Sequence, residues 1–463
     1  MKKIFEDLQC LAILLLVSSL AVSCKKLIEI PPNPPTEITQ TEVFADSADA
    51  VSAVDGIYSN FQVANGGLTI ASGLVTMCGG LSADELNTAT TNTSMDQYYT
   101  YSVLSTNGYI ENFWLAYTNI YQMNACLQGV GGDSSAISVS LRQQLTGEVK
   151  VDRALYYFNL VNLFGNVPLV TGTNYTVNAQ IARSPVDSVY GQILADLTSA
   201  VQLLTPVYPS AGRMRPNLYT AEALLAKVEL YQQQWPAAAN AASAVINSGV
   251  YSLCPSLDSV FLDGSNEAIW QLPANGTYQP VSEATNFVPY ANSIQPNFWL
   301  TPFLLNAFEP GDLRRTYWLD SNVVNGQVYY YPYKYKNTTL AETPVEDYMI
   351  FRLGDQYLIR AEALAEQNKL DSAMADLNLV RARAGLAPKT AVSQADLLAD
   401  IMQERRIEDF CEWGNRWYDL KRTGAAGTTL SGEKTGWQTD AALYPLPISE
   451  LQNNSLLVQN PGY

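Results

Sequence analysis

Two polar segments of this 463-residue chain, residues 83–101 and residues 278–299, combine aromatic rings with amide and carboxylate side chains. Their candidate binding residues are Asp84, Asn87, Tyr98, Tyr99, Tyr101, Tyr278, Asn286, Phe287, Tyr290 and Trp299. Aromatic faces stack on the C–H faces of a pyranose, while Asp and Asn side chains hydrogen-bond vicinal hydroxyls. The pattern therefore fits carbohydrate binding, with packing in the core as the alternative for each single ring.

Of the two segments, residues 83–101 give the more specific prediction, because they contain a cluster of three tyrosines. Tyr98, Tyr99 and Tyr101 stand within four residues on a segment without sustained helical periodicity. Three such rings are hard to bury together, so at least one is expected to face solvent or ligand. Trp299 and Phe298 fit a core as well, because apolar residues follow them at helical spacing.

The residue types and motifs that the chain lacks exclude several classes of catalytic and binding site. The chain contains no histidine, which excludes Ser-His-Asp and Cys-His catalysis and metal sites with imidazole ligands. No Gly-rich phosphate loop is present, and no metal or cofactor is predicted. Four cysteines of the mature chain stand far apart without a CxxC pair, so buried free thiols are favoured over one disulfide. They are Cys78, Cys126, Cys254 and Cys411.

Carboxylate chemistry of the glycosidase kind remains open. Glu404 and Glu408 lie one helical turn apart, but Arg405 and Arg406 stand beside them, which favours an ion-pair network. The formal net charge of −17 repels nucleic acid and anionic lipid headgroups, so neither is an expected partner.

The start of the chain has the layout of a secretory signal peptide. A Lys2-Lys3 pair precedes an apolar run over residues 11–17, small residues follow, and Cys24 stands at the cleavage point. This arrangement resembles a bacterial lipobox, in which the cysteine sulfur takes a diacylglycerol; an ordinary signal peptide with a chance cysteine is the alternative. Residues 1–23 are therefore predicted to be removed, and residues 24–40 to form a lipidated, Pro-rich tether.

Helical periodicity governs most of the remaining chain. It predicts helices over residues 46–61, 111–127 and 141–164, with residues 66–108 mostly loop. Residues 221–246 and 356–380 resemble each other and follow the tetratricopeptide pattern of two helices with small residues at fixed spacing. Their separation in the chain predicts no tandem array. The stretch between them, about 249–346, is an irregular insertion with strand-like runs at 268–272 and 328–336.

Several motifs in one order resemble the SusD/RagB family of outer-membrane glycan-binding lipoproteins. They are residues 27–32 (LIEIPP), the helix from Phe44 to Tyr58, residues 153–158 (RALYYF) with 164–170 (FGNVPLV), residues 357–364 (YLIRAEAL), and 404–406 (ERR) with 416–422 (RWYDLKR). We interpret these motifs as structural rather than ligand-binding. Their arginines are expected to pair with carboxylates, and the aromatic residues 156–158 are expected to belong to the core.

The resemblance implies a mostly α, SusD-like fold with a tetratricopeptide-like helix-pair scaffold and a few short strands, in one domain over residues 41–463. It implies that Asp84 is the acidic residue of a sugar-binding loop and that one of the nearby tyrosines is its stacking aromatic residue. It also implies a lipid-anchored protein on the outer face of the outer membrane that hands oligosaccharide to a SusC-like TonB-dependent transporter. The competing functions are a carboxylate-dependent glycoside hydrolase and a helical scaffold that binds only protein; the tyrosine-rich insertion argues against the scaffold.

Overall fold

The computed structural model describes residues 39–61, 68–132, 136–273, 280–339, 345–390 and 393–463. The expected signal peptide, Cys24, nearly all of the tether, and the candidate residue Tyr278 lie outside the described residues.

Helices make up most of the described structure, which confirms the mostly α fold class. In chain order they are α1 (Gln40–Val43), α2 (Ser47–Phe61), α3 (Leu74–Ser82), α4 (Thr93–Tyr99), α5 (Gly108–Trp114), α6 (Ala116–Gly131), α7 (Val139–Phe164), α8 (Tyr175–Asn178), α9 (Val186–Leu203), α10 (Leu218–Tyr231), α11 (Trp235–Ile246), α12 (Ser282–Phe287), α13 (Pro302–Leu305), α14 (Leu313–Tyr317), α15 (Leu353–Glu366), α16 (Leu370–Arg383), α17 (Gln394–Glu408), α18 (Asn415–Arg422), α19 (Ala426–Glu433) and α20 (Ile448–Asn453). None of these helices combines the length and apolarity needed to cross a bilayer.

The strands are short and pair two by two. They are β1 (Leu86–Thr88), β2 (Val167–Pro168), β3 (Arg183–Ser184), β4 (Ala268–Leu272), β5 (Phe298–Leu300), β6 (Leu319–Val324), β7 (Gln327–Pro332) and β8 (Tyr348–Arg352). The antiparallel pairs are β1–β5, β2–β3, β4–β8 and β6–β7. The β4–β8 pair links the insertion to the start of α15, and β5 packs beside β7.

The scaffold is a continuous array of helices. Helix α7 packs between α6 and α9, α9 contacts α10, α10 pairs with α11, and α15 contacts α11, α16 and α17. The two similar segments of the sequence are the pairs α10–α11 and α15–α16. The prediction that they form no tandem array is wrong, because the insertion leaves the scaffold after α11 and returns at α15, where the pairs stack directly. Small buried side chains on α11, such as Ala238 and Ala242, permit this close approach.

The expectation of loop over residues 66–108 is wrong for two helical stretches. Helix α3 lies there with every residue buried, and helix α4 follows it. An entirely buried helix has no polar face, so helical periodicity gives no signal for it. The predicted helix over 111–127 is two helices, α5 and α6, separated at Leu115, whose carbonyl accepts a tight three-residue hydrogen bond from Thr118 N–H (3.0 Å).

Both strand-like runs that were predicted in the insertion form strands in the structure. Strand β4 coincides with the predicted strand, and the second strand-like run is β7 of a hairpin. Asn325 and Gly326 turn that hairpin with φ of 51° and 82°, the left-handed pair that a two-residue hairpin loop requires.

A buried network of charges joins the insertion to the scaffold. Glu408 on α17 contacts Arg314 (3.0 Å), Arg352 and Arg383. Burial alone would raise the pKa of Glu408, but the three guanidinium groups hold it well below its usual range. Glu404 pairs with Arg314 at 2.6 Å. This confirms that the two glutamates form an ion-pair network. All four cysteines among the described residues are buried free thiols, as predicted.

Candidate functional site

The chain from the end of α3 into β1 brings both predicted ligand segments together. Asp84, in this stretch, is fully buried; its carboxylate accepts hydrogen bonds from Arg406 (2.5 Å) and Arg416 (2.7 and 2.9 Å). Burial raises the pKa of Asp84, and the two arginines more than offset this, so the net pKa is lowered. The expectation that Asp84 contacts sugar is therefore corrected: it has no exposed surface, and it ties the entry of β1 to α17 and α18.

The next residue behaves in the opposite way. Glu85 is buried and accepts a hydrogen bond from the Cys411 N–H (3.2 Å), and it forms no ion pair among the described residues. Burial, followed by the negative charge of Asp84, raises its pKa to about 8. A pKa of about 8 favours the protonated form of Glu85 at neutral pH, and the buried side chain offers almost no surface to a ligand.

Strand pairing sets Asn87 beside Trp299. The register of β1 and β5 places these two residues opposite each other, with Leu86 against Leu300 and Thr88 against Phe298. Because side chains alternate along a strand, the flanking residues are buried while Asn87 and Trp299 share the other, partly exposed face. The second sequence segment is therefore delivered to the first by a two-strand ladder.

Strand β7 adds a second ring. Tyr329 is partly exposed, and its ring meets the Trp299 ring edge to face at 5.3 Å. Opposite Tyr329 in the hairpin lies Asn322, whose amide donates to the carbonyls of Ala291 (2.9 Å) and Ile294 (2.7 Å). These bonds hold the loop that carries Tyr290 next to the same strands.

Tyr290 itself is 88 % exposed, so packing does not explain it. We call the surface formed by Asn87, Tyr290, Trp299 and Tyr329 the tryptophan face. Asn286 is partly exposed on α12, where its amide donates to the Ser282 carbonyl (2.8 Å). Phe287 is corrected from ligand contact to core, because it is buried with its ring edge-on to Phe298 at 5.9 Å.

The tyrosine cluster divides between core and surface. Tyr98 is fully buried with its ring edge-on to Tyr444 at 5.0 Å, so it is corrected from ligand contact to core. Tyr99 and Tyr101 are partly exposed, and Tyr101 meets Trp437 edge-on at 5.1 Å. We call the surface formed by Tyr99, Tyr101 and Trp437 the tyrosine face.

A buried lysine supports the tyrosine face from behind. Lys434 Nζ lies 4.4 Å from the Tyr99 ring centroid and 4.8 Å from that of Tyr101, and it donates to the Leu81 and Ala83 carbonyls. Burial lowers the pKa of Lys434 to about 7, while the charges of Asp84 and Glu433 act in the opposite direction. Lys434 thus anchors both rings to the end of α3.

Sequence reasoning missed Tyr329, Trp437 and Asn322. Tyr329 lies in the predicted strand-like run, where period-two alternation could have suggested an outward ring. Trp437 lies far away in the chain, and no local pattern connects it with Tyr101. Asn322 acts through the backbone of a distant loop, which sequence spacing does not reveal.

Comparisons with known proteins agree with this architecture. A family model described as the SusD family matches residues 315–463, and one described as starch-binding and associating with the outer membrane matches residues 46–230. Together they span well over half of the chain. The chain belongs to the SusD/RagB family. A SusD-like protein, P25, of Formosa agariphila is 27% identical to the chain over 415 residues, which are 75% of this chain and 78% of that relative.

Solved structures show the same SusD-like fold. A SusD superfamily protein of Bacteroides vulgatus matches with a TM-score of 0.80 at 22% identity, over 91% of this chain and all of that one. A laminarin-binding SusD-like protein matches with a TM-score of 0.75 at 26% identity, over 90% of this chain and 99% of that one. The expected SusD-like fold is therefore confirmed.

Proposed function

We propose that this protein binds oligosaccharide at the tryptophan face. The observation that carries the proposal is the pairing of Asn87 with Trp299 on one partly exposed strand face, with Tyr329 edge-on to the indole. A tryptophan ring offers a platform for the apolar face of a pyranose, and a neighbouring amide both donates to and accepts from hydroxyls. The family description as starch-binding and the laminarin-binding relative support a glycan as the ligand class.

The proposal includes the place and the partner of the protein. A lipid on Cys24 would hold it at the outer face of the outer membrane, and a SusC-like TonB-dependent transporter would receive the captured oligosaccharide. Family membership and the description of that family as associating with the outer membrane support this role. Two or more acyl chains give stable anchoring, where a single chain does not.

We propose binding without catalysis. Hydrolysis would need two carboxyl groups on either side of a bound glycosidic bond. The acids with strongly raised pKa near this region are interior groups: Glu85, with a pKa of about 8, and Glu283, with a pKa of about 7, are both buried. No residue of the tryptophan face carries a carboxylate.

Calorimetry with a panel of soluble glycans, including starch fragments and laminarin, tests the proposal. We expect Trp299→Ala and Tyr329→Ala each to weaken binding of the recognised glycan by about tenfold, the low end of the range for one stacking platform. Tyr357→Ala serves as the control, because Tyr357 is a partly exposed ring on scaffold helix α15. Melting temperatures separate lost contacts from lost folding.

Several outcomes would contradict the proposal. If Tyr99→Ala and Trp437→Ala weaken binding while Trp299→Ala does not, the site is the tyrosine face instead. Failure to bind any glycan would favour the protein-binding scaffold. Release of shorter saccharides, detected by chromatography and abolished by replacing one carboxylate, would favour the hydrolase.

A further inference from the structure

A cavity of about 420 Å³ opens on the scaffold, and its lining includes no residue of the tryptophan face. Helices α5, α6 and α20 and the segment from β2 through α8 form its walls. Four aromatic residues line it: Trp114, Tyr117, Tyr121 and Tyr175. Its volume falls within the range of roughly 300–1,000 Å³ that is usual for small-molecule sites. We call it the acidic aromatic cavity.

The inner rings of this cavity are fixed and the outer rings are exposed. Trp114 and Tyr117 pack with centroids 5.1 Å apart, and the Tyr117 hydroxyl donates to the Pro168 carbonyl at 2.8 Å. Tyr121 is 47 % exposed and Tyr175 is 81 % exposed. Rings that line a concave surface and remain in water have no packing role that would account for them.

Two carboxylates give the cavity its charge. Glu111 accepts from the Ser449 hydroxyl at 2.8 Å, and neither Glu111 nor Glu450 has a lysine or arginine partner among the described residues. Burial, followed by the charge of Glu111, raises the pKa of Glu450, while a hydrogen bond from Trp114 acts in the opposite direction. Within the part of the chain that the structure describes, the cavity lining contains no basic residue.

Arg183 lies near the cavity but forms no ion pair with either glutamate. The charge of Arg183 acts to lower the pKa of Tyr117. Its guanidinium group donates hydrogen bonds to the carbonyls of Phe164 (2.9 Å), Asn166 (2.7 Å) and Val458 (2.6 Å). Each glutamate stands in the first turn of a short helix, where an acid is favourable. That preference explains the residue type, but it does not explain why both carboxylates meet exposed aromatic rings in one cavity.

We propose that the acidic aromatic cavity is a second binding site, separate from the tryptophan face, for a saccharide residue that carries a protonated amine. An ammonium group is attracted to aromatic faces and forms charge-assisted hydrogen bonds with carboxylates. Asn178, Asn453 and Asn454 line the same cavity and can meet sugar hydroxyls. A neutral sugar would leave the two carboxylates without a cation, and an acidic sugar would be repelled.

Calorimetry on the purified full chain tests the proposal with a glucosamine tetrasaccharide, its fully N-acetylated counterpart, and trilysine. We expect the amine form to bind at least tenfold more tightly than the N-acetylated form. Tyr121→Ala and Tyr175→Ala should each weaken it several-fold, because each removes a ring that attracts the cation, and Glu450→Gln should weaken it further. Tyr317→Ala, a surface ring on α14, should leave binding unchanged.

Melting temperatures show whether the cavity variants are folded, and the variant Trp299→Ala shows whether the amine-dependent binding is separate from the tryptophan face. The proposal is supported if the cavity variants keep the parent melting temperature and Trp299→Ala retains the amine-dependent binding. It is overturned if neither saccharide binds, if the two bind equally, or if the cavity variants leave binding unchanged. Tight binding of trilysine without binding of the saccharide would also overturn it, because the cavity would then recognise a basic side chain of a protein.

Discussion

At the scale of single residues, the neighbouring acids Asp84 and Glu85 show that burial alone does not set protonation. Asp84 is held charged by Arg406 and Arg416, whereas Glu85 has only a backbone N–H and is held neutral. Uncompensated burial makes the charged form costly, and one pKa unit corresponds to about 1.36 kcal/mol. The two residues should therefore respond to pH in opposite ways.

Glu85→Gln should change the pH dependence of stability. The folded protein keeps the Glu85 proton up to a pKa of about 8, while the unfolded chain releases it near the ordinary value of 4.5. Between these values the unfolded state binds fewer protons, so the free energy of unfolding of the parent falls as pH rises. The variant lacks this loss and should gain on the order of a few kcal/mol relative to the parent between pH 4 and pH 9.

Urea unfolding of both proteins at several pH values measures this difference. The other buried acids titrate in both proteins and cancel in the comparison. Parallel profiles for parent and variant would show that Glu85 is charged in the folded state.

At the scale of elements, the close approach of α3 to the start of α18 sets the position of β1. A Cβ at Gly79 would lie 2.8 Å from the Cα of Gly414, which itself has a φ of 63°. Only glycine permits this contact, because backbone cannot move aside as a flexible side chain can. The contact brings α3, and with it Asp84, against the arginines of α17 and α18.

Gly79→Ala should therefore destabilise the fold by about 1–3 kcal/mol, the range for inserting a methyl group into a packed site. Gly56→Ala is the matched control, because Gly56 lies inside α2 and a Cβ added there would have no atom within 4 Å. That change should stabilise the protein by about 0.5–1 kcal/mol through the higher helix propensity of alanine. Free energies of unfolding from urea titrations compare them, and equal effects would refute the close contact.

At the scale of the whole molecule, the two proposed sites belong to different parts of the fold. The tryptophan face is built by the insertion and β1, while the acidic aromatic cavity is built by the first half of the scaffold and α20. Because different elements form the two sites, a substitution in one site should leave binding at the other unchanged. The proposed role at the cell surface requires an anchor, which we expect to be a lipid on Cys24.

Cys24→Ser should remove that anchor. The serine hydroxyl cannot form the thioether with a diacylglycerol, so the acyl chains that would hold the protein at the membrane are lost. We expect the variant to be unprocessed or to be released in soluble form, as measured by fractionation of membranes and immunoblotting. A variant that fractionates with the outer membrane as fully as the parent would show that Cys24 carries no lipid.

The sequence by itself determined the elements whose pattern is local. Period-3.6 spacing placed α2, α7 and both similar helix pairs, and the apolar run at Ala268–Leu272 placed β4. The ordered motifs also identified the family and the structural role of the arginines. These features depend on neighbours within a few turns of the chain, which the sequence displays directly.

Tertiary structure alone decided which rings face solvent. Tyr98 and Tyr99 are adjacent in the chain, yet Tyr98 packs on Tyr444 in the core and Tyr99 reaches the surface over Lys434. Likewise, Asn87 meets Trp299 only because β1 pairs with β5. Burial and site formation depend on contacts between segments far apart in the chain, and residue type and local spacing carry no information about which distant segment will arrive.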